Sequence, residues 1–371
     1  MTCPRGEPGG AYSQYTEFNL KKEEIKTPAL VVDLDAMESN LESMAAFFRD
    51  KPCKLRPHFK NHKTPLLARK QIRAGAIGLT CATLREAEIL VSHGVDNILI
   101  ANEICGDEKA ACLADLSRHA TVIAAVDSRA AVNDFARAQR NKKVRIQVVP
   151  DIDIGLNRCG VRDAEAALDL AKYAQSQGLK VCGVMGYDGH LQAIPKSPER
   201  DEVVRQGSKT LVDASAMLKS EGISVQVVST GGTGTYSVSG EYPGITDIQA
   251  GSYLLMDTMY VNRGAQFQRS LTVLATVISM RGAEHAVLDC GVKAISGERG
   301  FSALKDLPGT ELKALHAEHA LIAIEPGAAT KLEVGQKVEV WVQYSDATVN
   351  LHSCFYGVRN GEVEEVYRIE H

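Results

Sequence analysis

The sequence has no apolar run approaching the roughly 18 residues that a membrane-spanning helix needs, which excludes that class of protein. It has no CxxC pair, although it carries nine cysteines; in a large chain without a signal that pattern reads as free thiols in a reducing compartment. It has no excess of one charge. Lys and Arg number 42 against 46 Asp and Glu, a net charge of −4, so nothing draws it generally to nucleic acid or to an anionic membrane. The opening residues, MTCPRGEPGGAYSQY, contain no apolar h-region, so secretion is not expected and the cytoplasm is. No tandem repeat is visible, and low complexity is confined to the Gly/Pro-rich first ten residues. What is present is ordinary for a soluble globular protein: 44% hydrophobic and 24% charged residues, which excludes wholesale disorder. At 371 residues the chain has room for two domains and a large core.

Short apolar, β-rich runs recur at 54–59, 76–82, 97–102, 121–126, 144–149, 181–187, 225–230 and 247–251. Amphipathic stretches such as LREAEILVSHG (84–94) and AEAALDLAKYAQSQG (164–178) lie between them. Continuous apolar strands alternating with helices predict a parallel sheet covered on both sides, and eight such units point to a (β/α)8 barrel over 28–259. Ahead of them, ALVVDLDAMESNLESMAAFF (29–48) reads as a strand running into a helix, with Asp35 as its N-cap. That helix is expected to close the barrel ring. After residue 260 the pattern becomes β-rich with hardly a helix, which predicts a mostly β domain over 260–371. GVRNGEV (357–363) carries an Asn-Gly hairpin signal within it. The segment 1–27 is expected to add a strand to that domain.

Barrel enzymes build their active sites in the loops that follow the strands. Here those loops are RPHFKNHK (56–63), PDIDIGLNRCG (150–160), GYDGHLQ (186–192), STGGTGTY (229–236) and AGSYLLMD (250–257). The last two follow the seventh and eighth strands, where barrels commonly hold phosphate. Glycine there lets backbone amides approach an anion, so Gly232, Thr233, Gly251 and Ser252 are candidate phosphate holders. Lys60 ends the first strand beside His58 and His62. A lysine aimed into a barrel mouth is partly desolvated, which favours Schiff-base chemistry. A phosphate site opposite such a lysine suggests pyridoxal phosphate. Arg158 is then a partner for the ring oxygen, while Tyr187 and His190 line the pocket or exchange protons. Against this stand plainer readings: tight turns for the glycines, a surface lysine, a structural arginine, and a hydrogen-bonded Tyr and His.

These residues resemble the fold-type III pyridoxal-phosphate enzymes, and among them the branch of D-threonine aldolase, D-3-hydroxyaspartate aldolase and eukaryotic-type D-serine dehydratase. TPALVVDLDAMESNL (27–41), RPHFKNHK, GLNRCGV (155–161), GYDGHLQ, STGGTGTY, QAGSYLLMD (249–257), LDCGVKAIS (288–296) and DATVNLHSC (346–354) match in order. The resemblance implies an alanine racemase-like barrel with a β domain. It implies that Lys60 carries the cofactor, that Gly232, Thr233, Gly251, Ser252 and Tyr253 hold its phosphate, and that Arg158 meets its ring oxygen. It also implies a homodimer with the active site at the interface.

One departure concerns metal. Relatives place His-x-Asp or His-x-Cys just before the VNL segment and bind a divalent cation there; this chain has Tyr344-Ser345-Asp346. Asp346 matches a carboxylate ligand, but a neutral phenol is a poor substitute for imidazole. Asp346 is therefore expected to hold Mg²⁺ or another divalent cation weakly or not at all, with His352 and Cys354 as nearby alternatives. A second possibility is that the Tyr344 hydroxyl stands where the cation would and acts directly as acid or base on the substrate's β-oxygen, with its phenolate favoured near His58, Lys60 and His62. The catalytic set expected is thus Lys60, His58, Tyr187 and Tyr344. The favoured activity is a lyase that cleaves a D-configured β-hydroxy amino acid to glycine and an aldehyde or glyoxylate. A D-serine or D-3-hydroxyaspartate dehydratase, an amino-acid racemase or epimerase, and a non-catalytic cofactor carrier remain open. In every reading the partner is a small amino acid, with neither nucleic acid nor membrane involved.

Overall fold

A computed structural model describes residues 20–371. The chain separates into two compact units, and α1 (Leu34–Phe48) runs from one into the other. Its residues up to Asn40 group with the β-rich unit, and those from Leu41 onward group with the barrel.

In the barrel unit, β2 (Lys54–Leu55), β10 (Asp247–Ile248), β9 (Val227–Thr230) and β8 (Gly183–Met185) form one parallel sheet. The strands β3 (Leu79–Cys81), β4 (Asn97–Glu103), β5 (Thr121–Val126), β6 (Gln147–Pro150) and β7 (Lys180–Val181) form a second. Parallel bridges His58–Thr80 and Asp151–Met185 join the two sheets at both edges. Because β7 and β8 are one strand interrupted at Cys182, the ring closes with eight strands, as the sequence runs predict. Alternate strand residues face inward and fill it: Leu99, Ile123, Ala125, Val149, Cys182, Met185 and Val227 pack as one buried cluster.

Helices cover the ring where amphipathic stretches recur: α2 (Pro65–Arg73), α3 (Leu84–Ser92), α4 (Asp107–Leu116), α5 (Arg129–Lys142), α6 (Ala164–Ser176) and α7 (Pro198–Ser220). Thr83, Ser128, Asp163 and Ser197 cap four of them with side-chain oxygens. After β9 one turn remains, α8 (Tyr236–Ser239), and the Phe47 ring at the end of α1 meets Tyr236 edge-on at 4.9 Å. The end of α1 thus covers the ring where a full helix is missing. Its N-cap is Asp33, whose Oδ1 accepts from Ala36 N–H, and not Asp35 as the sequence suggests; Asp35 pairs with Arg359 instead.

The β-rich unit contains β1 (Ala29–Asp33), β11 (Leu271–Met280), β12 (His285–Leu288), β13 (Thr310–Leu315), β14 (Ala320–Ile324), β15 (Lys337–Trp341), β16 (Cys354–Arg359) and β17 (Glu362–Arg368) in one sheet. Strand β1, grouped with the barrel by the boundary at 28, pairs here with β11 and β16. The Asn-Gly hairpin lies between β16 and β17, with Asn360 and Gly361 at φ 52° and 82°, the left-handed pair that this turn needs. Of the segment 1–27, residues 1–19 lie outside the described residues, and Lys21 bridges Glu362. All the described cysteines are free.

Candidate active site at the barrel mouth

The loop after β2 begins with a short 3-10 turn, Phe59–Asn61, and half-buried Lys60 lies within it. His58 caps the turn by accepting from Lys60 N–H at Nδ1, 3.4 Å away, which leaves the ring proton on Nε2. Burial, then the charges of Lys60, His62 and Arg158, hold His58 well below its ordinary pKa, so it is neutral at physiological pH. Fully buried His62 is lowered to about 4 by desolvation. Its Nδ1 accepts from Thr64 N–H and its Nε2 faces Gln71 Oε1 at 3.1 Å; Gln71 in turn donates to the Tyr253 hydroxyl at 3.0 Å. This buried chain ties the β2 loop, α2 and the β10 loop together.

The glycines expected to cradle an anion are close-approach positions. A Cβ on Gly251 would lie 2.6 Å from the His58 carbonyl oxygen, so only glycine lets the β10 loop lie against the β2 loop. A Cβ on Gly232 would lie 2.8 Å from the Gln192 side chain. Thr233 Oγ1 accepts from Tyr253 N–H at 3.0 Å, and Ser252 Oγ accepts from Asn61 Nδ2 at 3.4 Å. Each hydroxyl is therefore held through its oxygen while its proton stays available. Tyr253 is fully buried, its amide spent on Thr233, and burial raises its phenol above the ordinary range. In this arrangement Tyr253 joins the two loops. On the β6 and β8 side, the exposed Arg158 guanidinium stands 5.8 Å from the Tyr187 ring centroid. Gly155 lies against His190, whose ring a Cβ would meet at 3.1 Å.

Several residues that the sequence reading passed over hold this face in shape. Gln192 accepts from Gly234 N–H at 2.8 Å and donates to Asp188 Oδ1 at 2.9 Å and to Thr235 Oγ1 at 3.0 Å. Thr235 Oγ1 also accepts from Gly232 N–H. Asp188 is buried, and desolvation raises its pKa. The signal was available, since Asp188 and Gln192 stand in GYDGHLQ, but nothing in the spacing says which glycine loop they brace.

Tyr344 and Asp346 belong to the β-rich unit. Asp346 lies in α9 (Ser345–Val349), and Tyr344 stands at its N-cap position without a side-chain cap bond. Buried Asp257 anchors this turn by accepting from Ser345 N–H at 2.9 Å and from Ser345 Oγ at 2.8 Å. Burial raises the Asp257 carboxyl to about 6. Tyr344 is pushed up to about 12 by burial, then by Asp346 and Glu298. The expected phenolate is therefore overturned: the groups that govern Tyr344 are burial and carboxylates, and its phenol stays protonated. His352 Nε2 faces the Ala294 carbonyl at 2.7 Å, and Cys354 is a buried strand residue. Among the described residues, Asp346, His352 and Cys354 do not converge as a ligand group. Tyr344 and Asp346, which stand where relatives have their ligand pair, offer one neutral phenol and one carboxylate, a pair that does not fit a tight transition-metal site.

The residues present do fit pyridoxal phosphate. A lysine stands two residues beyond the carbonyl against which Gly251 packs, and the glycine loops offer amides and two hydroxyls with no carboxylate in 230–236 or 249–256.

Comparison with known proteins agrees. The alanine racemase N-terminal domain family matches residues 32–258, and the serine dehydratase domain family matches 270–358. A D-threonine aldolase of Arthrobacter is 35% identical over 353 residues, covering 93% of this chain and 92% of that one. A 3-hydroxy-D-aspartate aldolase of Paracoccus denitrificans is 30% identical, covering 94% of this chain and 93% of that one. The crystal structure of D-threonine aldolase from Filomicrobium marinum superposes with a TM-score of 0.91 at 32% identity, covering 96% of this chain and 98% of that one.

Proposed function

The chain belongs to the alanine racemase N-terminal domain family, in the branch of the D-threonine and 3-hydroxy-D-aspartate aldolases, and from that premise we propose how its own residues carry the reaction. It is a pyridoxal-phosphate lyase of D-configured β-hydroxy amino acids, which it cleaves between Cα and Cβ to glycine and an aldehyde or glyoxylate. The observation that carries the assignment is the close meeting of the lysine loop with the glycine loop at Gly251 and His58.

Lys60 holds the cofactor covalently. Thr233 and Ser252 would turn their hydroxyl protons to its phosphate, while Gly232 and Gly251 let those loops lie close against Gln192 and His58. Arg158 would meet the ring oxygen. When bound, the cofactor supplies an electron sink for the bond broken at the α-carbon. Neutral His58, and with it Tyr187, would hold or move a proton at this mouth. Tyr344, protonated, serves as a donor to the β-oxygen and not as a base. No step is assigned to a cation at Asp346. The working assembly is a homodimer and the location cytoplasmic; the family resemblance supports the first and the free thiols support the second. No described helix is long and apolar enough to cross a membrane.

Product analysis on the purified holoenzyme with D-threonine and with D-3-hydroxyaspartate tests the reading. Glycine with acetaldehyde or glyoxylate is the expected result. Keto acid and ammonia would make the protein a dehydratase, an inverted amino acid would make it a racemase, and a bound cofactor with no product from either compound would make it a carrier.

A further inference from the structure

The arc of the barrel mouth reached by β4, β5 and β6 carries a second cluster, apart from the β9 and β10 loops. Glu103 ends β4, Asp127 follows β5, Asp151 follows β6, and Cys159 lies in the loop beyond. A carboxylate oxygen of Glu103, one of Asp127 and Cys159 Sγ lie within 4.8 Å of one another, each half-buried. Behind them Asp151 is 7% exposed; its Oδ1 and Glu103 Oε1 are buried and receive no hydrogen bond from a described donor, so the two carboxyls can bond each other only by sharing a proton. The side chain of Asp151 faces Glu103 first and Asp127 next. Gly160 shapes the turn: its φ is +101°, a Cβ there would strike Asp153 N at 2.6 Å, and its amide donates to Asp127 Oδ2 at 3.3 Å.

Three carboxyl groups and a thiol with orphaned acceptors repel one another unless a proton or a cation sits among them. The thiol indicates which cation. Mg²⁺ and Ca²⁺ take oxygen ligands, whereas a thiolate with carboxylates suits a borderline-soft ion such as Zn²⁺. Zinc–ligand bonds of about 2.0–2.3 Å would draw the three atoms together by about an ångström, within the reach of half-buried side chains.

We propose that Glu103, Asp127 and Cys159 bind one divalent transition-metal ion of the zinc class, with Asp151 or a water as fourth ligand. Arg158 directly precedes Cys159, so the ion pins the turn that presents Arg158 at the mouth. The site is distinct from Asp346 and stands whether or not the proposed reaction is correct.

The test uses purified holoenzyme carrying Asp346→Asn, stripped with chelator and titrated with zinc chloride. One zinc per chain is expected, with affinity falling at least about tenfold in Cys159→Ser and in Glu103→Gln. Zinc should also slow alkylation of Cys159 in the otherwise native protein, followed by peptide mapping, which needs no variant to fold. Zinc uptake unchanged by both substitutions, or Cys159 alkylated equally fast with and without zinc, would overturn the proposal. So would a failure to take up zinc at neutral pH, which would leave a cluster held by shared protons.

Discussion

Two arcs of one barrel mouth have opposite chemistry. The loops after β9 and β10 are built from glycines and hydroxyls, held by Gln192 and Thr235, and offer an anion only donors. The loops after β4, β5 and β6 present Glu103, Asp127 and Asp151, with Arg158 and Cys159 in the turn beyond. The same ring of strands supports both, because a strand end fixes only where a loop starts. What the loop then binds depends on whether its residues donate or accept. On the proposed reading the contrast also places charge usefully: an anionic cofactor group would be received on one side and kept off the other.

The largest effect separates the lysine from both arcs. Lys60→Ala should remove the covalent cofactor link and lower kcat on the order of 10³-fold or more, read by steady-state assay of glycine release. Substantial residual turnover would shift the chemistry to another group. Within the glycine arc, Thr233→Ala removes a hydroxyl donor to a dianion, worth about 1.5–3 kcal/mol, so cofactor affinity should fall about 10- to 100-fold in an equilibrium titration. Unchanged affinity would move the phosphate elsewhere.

Gly251→Ala should destabilise more than Gly232→Ala. The first would place Cβ 2.6 Å from a backbone carbonyl, and the second 2.8 Å from the Gln192 side chain, which can move only by giving up bonds to Asp188, Thr235 or Gly234. A cost of about 1–3 kcal/mol is expected at Gly251 by denaturant unfolding, and an equal or smaller cost there would break the account of the loop contact.

The remaining effect lies in the acidic arc and is read as a slope of stability against pH. Burial, then Glu103 and Asp127, raise the Asp151 carboxyl from 3.8 to about 8. The folded chain keeps that proton where the unfolded chain loses it. Its contribution to stability is full below about pH 4 and is lost as pH rises towards about 8. In chelated protein, Asp151→Asn should flatten that decline in melting temperature. A slope unchanged by the substitution would mean that Asp151 titrates normally.

The two arcs also differ in how far the sequence discloses them. STGGTGTY and QAGSY announce themselves, because close approach demands glycine at consecutive positions. The acidic arc is spread over Glu103, Asp127, Asp151 and Cys159, on three strand ends and a loop, so only ring closure brings them together. The eight apolar runs disclose the barrel, since strands buried on both faces read as continuous apolar segments. Strand β1 was harder to place. ALVVD has the same buried pattern as a barrel strand, and the pairing with β11 and β16 leaves no local mark. Tyr344 shows a similar limit: the residue type is legible, but burial and then the carboxylates Asp346 and Glu298, which push its phenol up, come only from packing.

The central claim is that Lys60 carries pyridoxal phosphate at this mouth. Borohydride reduction of the purified yellow protein, followed by peptide mapping, tests it most directly. One modified lysine, Lys60, is expected, with loss of the visible absorbance band. Modification at Lys63 or Lys293 instead, or a protein that binds no pyridoxal phosphate, would contradict it.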